Sequence, residues 1–212
     1  MKKKVVIIDY DLGNLFSVKQ SCDYIGLNSI ISSDNKIIKN ADALILPGVG
    51  AFNEGIKNLK KKKIFDLIIN ANSKKIPIFG ICLGMQMLFS SSEEFGSTKG
   101  LDLIRGKIVK FKINLREKIP HMGWNNLFLN KKTYKKSPLS HFDELDFLYF
   151  VHSYYVKPIE NSIILSSTSY NGIDFCSSLF KNNIFATQFH PEKSGFIGLS
   201  IYKKWAQMNK LI

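Results

Sequence analysis

Arginine is almost missing from this chain. Of its 30 lysines and arginines only Arg105 and Arg116 are arginine, so lysine carries nearly all of a formal charge of +13. Arginine's planar fork is the usual reader of phosphates and bases. Its scarcity argues for solvated lysine faces, at 60–63, 74–75, 131–132 and 135–136, over a nucleic-acid groove. Such a surface still attracts an anionic substrate or partner. Long apolar runs are missing too: none approaches membrane-spanning length, so no membrane association is expected. Met1-Lys2-Lys3-Lys4 leads straight into a strand pattern, without a secretory apolar core. There are just three cysteines, far apart and odd in number. That argues against a disulfide framework and for a reducing cytoplasm. No repeat, low-complexity tract or linker divides the 212 residues, and 45% hydrophobic against 22% charged residues is an ordinary globular balance. One domain over 1–212 is the economical reading.

What is present concentrates on Phe79-Gly80-Ile81-Cys82-Leu83-Gly84-Met85-Gln86. A cysteine stands between two glycines at the end of an apolar run that reads as a buried strand. Flanking glycines permit the sharp strand-to-helix turn that pushes a nucleophile out of a sheet. Helix formers from Leu83 to Phe89 put Cys82 at a helix N-terminus, where free N–H groups and the dipole favour thiolate. A cysteine in an apolar run is ordinarily a small core hydrophobe. That is the reading for Cys22, in a helical pattern, and Cys176, in the strand-like 173–180.

A nucleophilic cysteine needs a base and an orienter, which can be distant in sequence. Among four histidines, His190 ends the apolar run 184–189 in Gln188-Phe189-His190-Pro191-Glu192. Pro191 stops the strand ladder and biases His190 toward extended backbone. Residues two apart then point the same way, so Glu192 can hold one imidazole nitrogen while the other faces the thiol. His141 lies in a polar stretch and reads as a surface residue. His121 and His152 lie in aromatic-rich segments, either as half-buried histidines or as part of a binding surface. Pro47-Gly48-Val49-Gly50 lacks the third glycine of a dinucleotide fingerprint and the Gly-Lys-Ser/Thr of a P-loop, and no metal-ligand spacing accompanies it. No metal or cofactor is expected. Its backbone N–H groups, with that of Leu83, read instead as oxyanion donors beside Cys82.

The first half alternates strands and helices: strands at 4–9, 28–32, 43–46 and 76–81, helices at 15–25 and 51–70, and a short polar turn or helix after the second strand. Gly26 reads as a C-cap. This spacing predicts an α/β fold, a doubly wound and mostly parallel sheet flanked by helices with sites at strand C-terminal ends. The second half adds an antiparallel β part, with strands at 106–112, 147–151, 163–169, 173–180 and 184–188. Asn171-Gly172 reads as a hairpin turn, and a last helix is expected over 195–208.

Taken together the motifs resemble the class I, triad-type glutamine amidotransferases. Gly80-Ile81-Cys82-Leu83-Gly84-Met85-Gln86 and His190-Pro191-Glu192 mark that superfamily. A narrower likeness, to the glutaminase subunits of imidazole glycerol phosphate synthases, rests on Ile8-Asp9-Tyr10, Gly13-Asn14-Leu15, Leu46-Pro47-Gly48-Val49-Gly50-Ala51-Phe52, His121-Met122-Gly123-Trp124-Asn125, His152-Ser153-Tyr154 and Gln188 through Ser194. The resemblance implies Cys82 as nucleophile, His190 as base then acid, and Glu192 as orienter. It implies oxyanion donors at the backbone of Val49 and Leu83. Gly50, Gln86, Ser153 and Tyr154 would hold L-glutamine. With no synthase domain after position 208, it implies a separate partner, a (β/α)8-barrel cyclase subunit met by Asn14, Trp124 and Lys193. That partner would use the ammonia to make imidazole glycerol phosphate and AICAR, a purine precursor, in histidine biosynthesis. The family commonly has glycine at the position of Asp11; if φ is positive there, Asp is among the less costly substitutes. Asp11 and Glu94-Phe95-Gly96 leave one alternative open, the same chemistry feeding a sugar amidotransferase in surface-polysaccharide synthesis. A thiol hydrolase of the α/β-hydrolase type fits less well, because its acid normally lies between nucleophile and histidine. A binding module with a dead site would not keep three such residues.

Overall fold

The computed structural model describes residues 2–112, 118–143 and 145–212. Its first half is built from short buried strands and amphipathic helices: β1 (Val5–Ile8), α1 (Leu15–Tyr24), β2 (Ser29–Ser32), α2 (Asn35–Lys39), β3 (Ala43–Leu46), α3 (Phe52–Lys61), α4 (Phe65–Ser73) and β4 (Ile78–Ile81). The strands β1, β3 and β4 are buried along their whole length. That is why they read as continuous apolar runs, as strands covered on both faces do. Helix α1 ends as expected at Gly26, with φ +76° and the Leu27 amide reaching back to the Cys22 carbonyl. Helix α3 buries Phe52, Gly55, Ile56 and Leu59, the i, i+3, i+4, i+7 face of an amphipathic helix.

The helix expected over 51–70 is two helices. Lys63 takes φ +59° and the Ile64 amide bonds the Leu59 carbonyl at 2.8 Å, a Schellman closure with buried Ile64 as its apolar contact. A lysine in the place where glycine usually signals the stop hid the break.

From β4 the chain turns into a short helix α5 (Leu83–Met87), then β5 (Phe89–Ser92), β6 (Thr98–Lys99), β7 (Ile104–Lys110), β8 (His121–Asn126), β9 (Phe128–Leu129), β10 (Phe147–His152), β11 (Tyr154–Pro158), β12 (Ile164–Tyr170), β13 (Ile173–Lys181), β14 (Ile184–Thr187) and α6 (Gly195–Met208). The main sheet runs β2-β1-β3-β4-β14-β13-β11-β7-β5-β6, with β12 and β9 attached beside β13. Its half from β2 to β14 is parallel, and antiparallel pairing begins at β13. β8 and β10 form a separate antiparallel pair. The β12–β13 hairpin turns at Asn171-Gly172, both at positive φ. β5, β6, β8, β9 and β11 escaped the sequence reading. The strand expected at 147–151 is β10; after His152 the chain leaves the small sheet and joins the main sheet at Tyr154 as the unexpected β11.

Two cores flank the main sheet. One packs Phe52, Ile56, Leu59 and Met87 on β1, β3 and β4; the other packs Phe79, Phe185, Tyr202 and Trp205 beneath α6. No helix among the described residues is long and apolar enough to cross a membrane.

Candidate active site

Three neighbouring strand ends make the site. β3 and β14 both pair in parallel with β4, so the segments following 46, 81 and 187 emerge side by side. The first is Pro47–Gly50, the second begins with Cys82, the third runs through Gln188 to His190.

Cys82 is 5% exposed and sits at φ 53°, ψ −108°, immediately before α5. This strained backbone has the shape of the sharp strand-to-helix elbow. It is pinned by the Cys82 amide on the Thr187 carbonyl at 2.8 Å and the Gln86 amide on the Cys82 carbonyl at 3.1 Å. The flanking glycines serve space more than backbone freedom. Neither has positive φ; a Cβ on Gly84 would strike the Leu46 carbonyl, and one on Gly80 would press on Leu88 and Met85. Cys22 and Cys176 are buried, and burial pushes both thiols up, Cys22 to about 12.

His190 follows β14 in extended backbone, and its Nδ1 meets Glu192 Oε1 at 2.7 Å with both side chains 2% exposed. The carboxylate thus holds Nδ1 as the N–H, leaving Nε2 as the proton acceptor. Nε2 is buried without a hydrogen-bond partner of its own among the described residues. Burial works to lower the imidazole's pKa. The Cys82 sulfur and the Glu192 carboxylate outweigh it and lift the pKa to about 10. Cys82, His190 and Glu192 therefore interact across 110 residues of sequence.

The cleft at Cys82 encloses about 260 Å³ and is lined by Val49, Gly50, Leu83, Gln86, Glu94, Pro120, Val151 and residues 152–154. Val49 stands at the rim, 37% exposed, and Gly50 takes φ +107°. The Leu83 amide donates to the Gly48 carbonyl at 3.3 Å, so it is engaged by the neighbouring loop in this structure. Gln86 is buried; its Nε2 donates to the Tyr154 carbonyl at 2.9 Å and to Gln188 Oε1 at 3.1 Å. Ser153 lies at the crossing between the two sheets, where its carbonyl accepts from the Phe111 amide at 3.1 Å. That crossing places residues 152–154 along the cleft. Glu94 is the one acidic residue of the lining, and one of its oxygens caps α3 through the Phe52 amide at 2.7 Å. The sequence reading assigned Glu94 and Gln188 no role. For Gln188 the signal was its place two residues before His190; for Glu94 there was none.

Behind the cleft His121 and His152 are buried together. His152 Nδ1–H donates to the Tyr154 carbonyl at 2.9 Å, so its Nε2 accepts from His121 Nδ1–H at 3.1 Å. Burial lowers both pKa values, His121 to about 4 and His152 to about 3, and the His121 ring stacks on Phe150 and Tyr170. Both are therefore neutral, satisfied histidines, more deeply buried than expected. His141 is exposed and pairs with Ser200.

Trp124 is 56% exposed and packs edge-on to Tyr149 at 6.0 Å, while the Lys193 ammonium sits 5.6 Å from the same Tyr149 ring. Met122, also on β8, is exposed beside them. Asn14 is exposed and caps α1 through the Ser17 amide at 3.3 Å. Asp11 has φ +69°, the conformation expected of a glycine position, and its carboxylate pairs with Lys62 at 2.6 Å.

The model of the glutamine amidotransferase class-I family matches residues 6–198. The chain is 42% identical over 207 residues to imidazole glycerol phosphate synthase subunit HisH of Geobacter metallireducens, covering 95% of this chain and 97% of that one. It is 45% identical over 206 residues to the HisH subunit of Lactococcus lactis, covering 97% and 98%. Among solved structures, a glutamine amidotransferase superposes with TM-score 0.73 at 13% identity over 97% of this chain and 98% of its own. The glutaminase domain of the Trypanosoma brucei CTPS, solved with bound acivicin, gives 0.68 at 17% over 98% and 94%; these two likenesses speak for the fold. The chain belongs to the class I glutamine amidotransferases, within the group formed by the HisH subunits of imidazole glycerol phosphate synthase.

Proposed function

We propose that this chain is a glutaminase subunit of imidazole glycerol phosphate synthase, one domain over 1–212 that converts L-glutamine to glutamate and ammonia for a separate cyclase. The observation that carries the reading is the convergence of Cys82, His190 and Glu192 at adjacent strand ends beside one cleft. Cys82 passes its thiol proton to His190 Nε2, and the sulfur attacks the side-chain amide carbon of glutamine. The negative charge that develops on the amide oxygen falls to the backbone amides of Val49 and Leu83. His190 returns the proton to the departing nitrogen, the C–N bond breaks, and ammonia leaves a γ-glutamyl thioester. Water, deprotonated by His190, adds to the thioester; the C–S bond breaks and glutamate departs.

Glutamine recognition follows from the lining. Both N–H groups of the Gln86 amide are consumed inside the protein, so only its oxygen remains for a substrate α-ammonium. The Glu94 carboxylate is the natural counter-charge for the same group. Gly50 and the Ser153–Tyr154 backbone lie where the α-carboxylate would be held. Because the Gly48 carbonyl occupies the Leu83 amide, the 47–50 loop must turn that carbonyl away before an oxyanion can be served. The isolated chain is accordingly slow, and the partner accelerates it.

The partner in this reading is a (β/α)8-barrel cyclase seated on the face of Asn14, Trp124 and Lys193, and the working complex is a cytoplasmic heterodimer. Relatives at 42–45% identity bear the imidazole glycerol phosphate synthase name, which favours this acceptor over a sugar-modifying enzyme. The test is glutamate production by the purified chain, alone and with the cyclase and its nucleotide. Wild type is expected to be slow alone and fast in the complex. Cys82→Ala should fall at least about 10⁴-fold in both settings with its circular dichroism unchanged. Equal glutamate formation by Cys82→Ala and wild type would sink the reading.

A further inference from the structure

Gln188 stands two residues before His190, fully buried, and its side chain touches the nucleophile. Its Nε2 lies 3.6 Å from the Cys82 sulfur, and its Oε1 lies 3.1 Å from Gln86 Nε2. The orientation of this carboxamide is dictated by a backbone group two steps away. The Tyr154 carbonyl can only accept, so the Gln86 atom 2.9 Å from it must be the nitrogen. The second hydrogen of that nitrogen then points at Gln188 and requires an oxygen there. Gln188 is left presenting its N–H to the sulfur. Its own backbone amide, on the Ser177 carbonyl at 2.9 Å, fixes the stem from β13.

Besides the His190 imidazole that interacts with it, the sulfur also has the Val151 carbonyl beside it at 3.8 Å. A carbonyl oxygen accepts from the neutral thiol and repels a thiolate. This carbonyl and the Gln188 amide therefore pull the Cys82 proton in opposite senses, and the Gln188 amide is the one that favours its loss.

We propose that Gln188 is a further catalytic residue: its side-chain N–H donates to the Cys82 sulfur and holds it as the nucleophilic thiolate. The proton leaving the sulfur goes to His190, whose imidazole interacts with it. Through Oε1 the same carboxamide joins Gln86, so the sulfur and the glutamine cradle are set by one buried chain, Tyr154 carbonyl to Gln86 to Gln188 to Cys82. In turnover this donor acts twice, when the sulfur first attacks and again when the thioester C–S bond breaks and the sulfur departs as thiolate. The role deepens the glutaminase reading and rests on it for its catalytic meaning. Its physical content, a donor to a thiolate, is measurable without glutamine.

The test is the pH dependence of iodoacetamide alkylation of Cys82 in the full-length chain, with Cys82→Ala supplying the background from Cys22 and Cys176. In Gln188→Met, close in volume but without a donor, the inflection is expected to rise by about one pH unit or more, with roughly tenfold slower alkylation at neutral pH. Gln188→Asn keeps the amide but is one methylene too short, and should shift the inflection in the same direction. A residue that merely fills space would lower thermal stability and leave the inflection in place. An unmoved inflection in a folded variant overturns the proposal. The wild-type protein supplies an independent reading if either variant fails to fold. The Gln188 side-chain amide proton should move downfield as Cys82 titrates and stop doing so in Cys82→Ala; an amide blind to that titration refutes the role. A shifted inflection in a chain that makes no glutamate even with its cyclase would retain the thiolate donor and discard the glutaminase assignment instead.

Discussion

Cys82 holds a backbone geometry that costs about 1–3 kcal/mol for a residue with a Cβ. That strain is offset by the hydrogen bonds that clamp it to β14 and α5. Its effect on His190 gives a direct measurement. The imidazole is lifted to about 10 against its burial by the sulfur and the Glu192 carboxylate together. In Cys82→Ala burial is opposed by Glu192 alone, so the His190 pKa should fall, as a titration of its ring carbon-bound protons would record; an unchanged value would mean the two do not interact. The His121–His152 pair makes a second prediction, about stability. Burial lowers both, to about 4 and about 3, whereas in the unfolded chain each takes a proton near 6.5. Across that window the unfolded state binds more protons, so stability falls as pH drops from about 6.5 toward 4. His190 runs the other way: its raised pKa gives stability that is complete below about 6.5 and lost as pH climbs toward 10. Melting temperatures below neutrality should therefore drop with acid, and His152→Asn should flatten that slope; parallel slopes would contradict the assignment.

At the scale of elements, the break between α3 and α4 rests on a lysine in a left-handed conformation. Lys63 is exposed at φ +59°, and the carbonyl of Leu59 is closed by the Ile64 amide regardless of the side chain at 63. Lys63→Gly relieves the Cβ strain at some cost in unfolded-state entropy. A net gain of about 0.5–1 kcal/mol is expected, a rise of about 1–4 °C in Tm by calorimetry. A loss would show that the lysine stem stabilises the turn. The passage from β10 to β11 works differently. Between Phe147 and Pro158 no glycine or Asn-Gly turn marks Ser153 as the crossing. Pairing decides it: β10 takes β8 as its neighbour while β11 takes β7 and β13. The placement of residues 152–154 along the cleft is a by-product of that choice of partners.

Across the molecule as a body, the candidate site and an exposed aromatic group lie close together in sequence. His190 acts on Cys82, which lines the cleft, and Lys193, three residues on, belongs to the exposed group with Tyr149 and Trp124. Large exposed aromatics beside a polar rim are the usual anchors of an interface. Trp124→Ala is expected to weaken binding of the cyclase about 10- to 100-fold in calorimetric titration, while the melting temperature of the isolated chain stays within about 1 °C. Unaltered affinity would move the docking face elsewhere.

The parallel half of the sheet, the elbow cysteine, and a histidine with a carboxylate two residues on were all legible along the chain. These are local facts, written in apolar runs of strand length, glycines where a helix crowds a strand, and the two-residue period of extended backbone. Folding in three dimensions was needed to set the Gly48 carbonyl on the Leu83 amide, to face Glu94 into the cleft, and to choose which way the Gln188 carboxamide points. Each depends on groups brought together from distant segments. A hydrogen bond has a direction only once both of its ends are in place, and no pattern along one strand can carry that information.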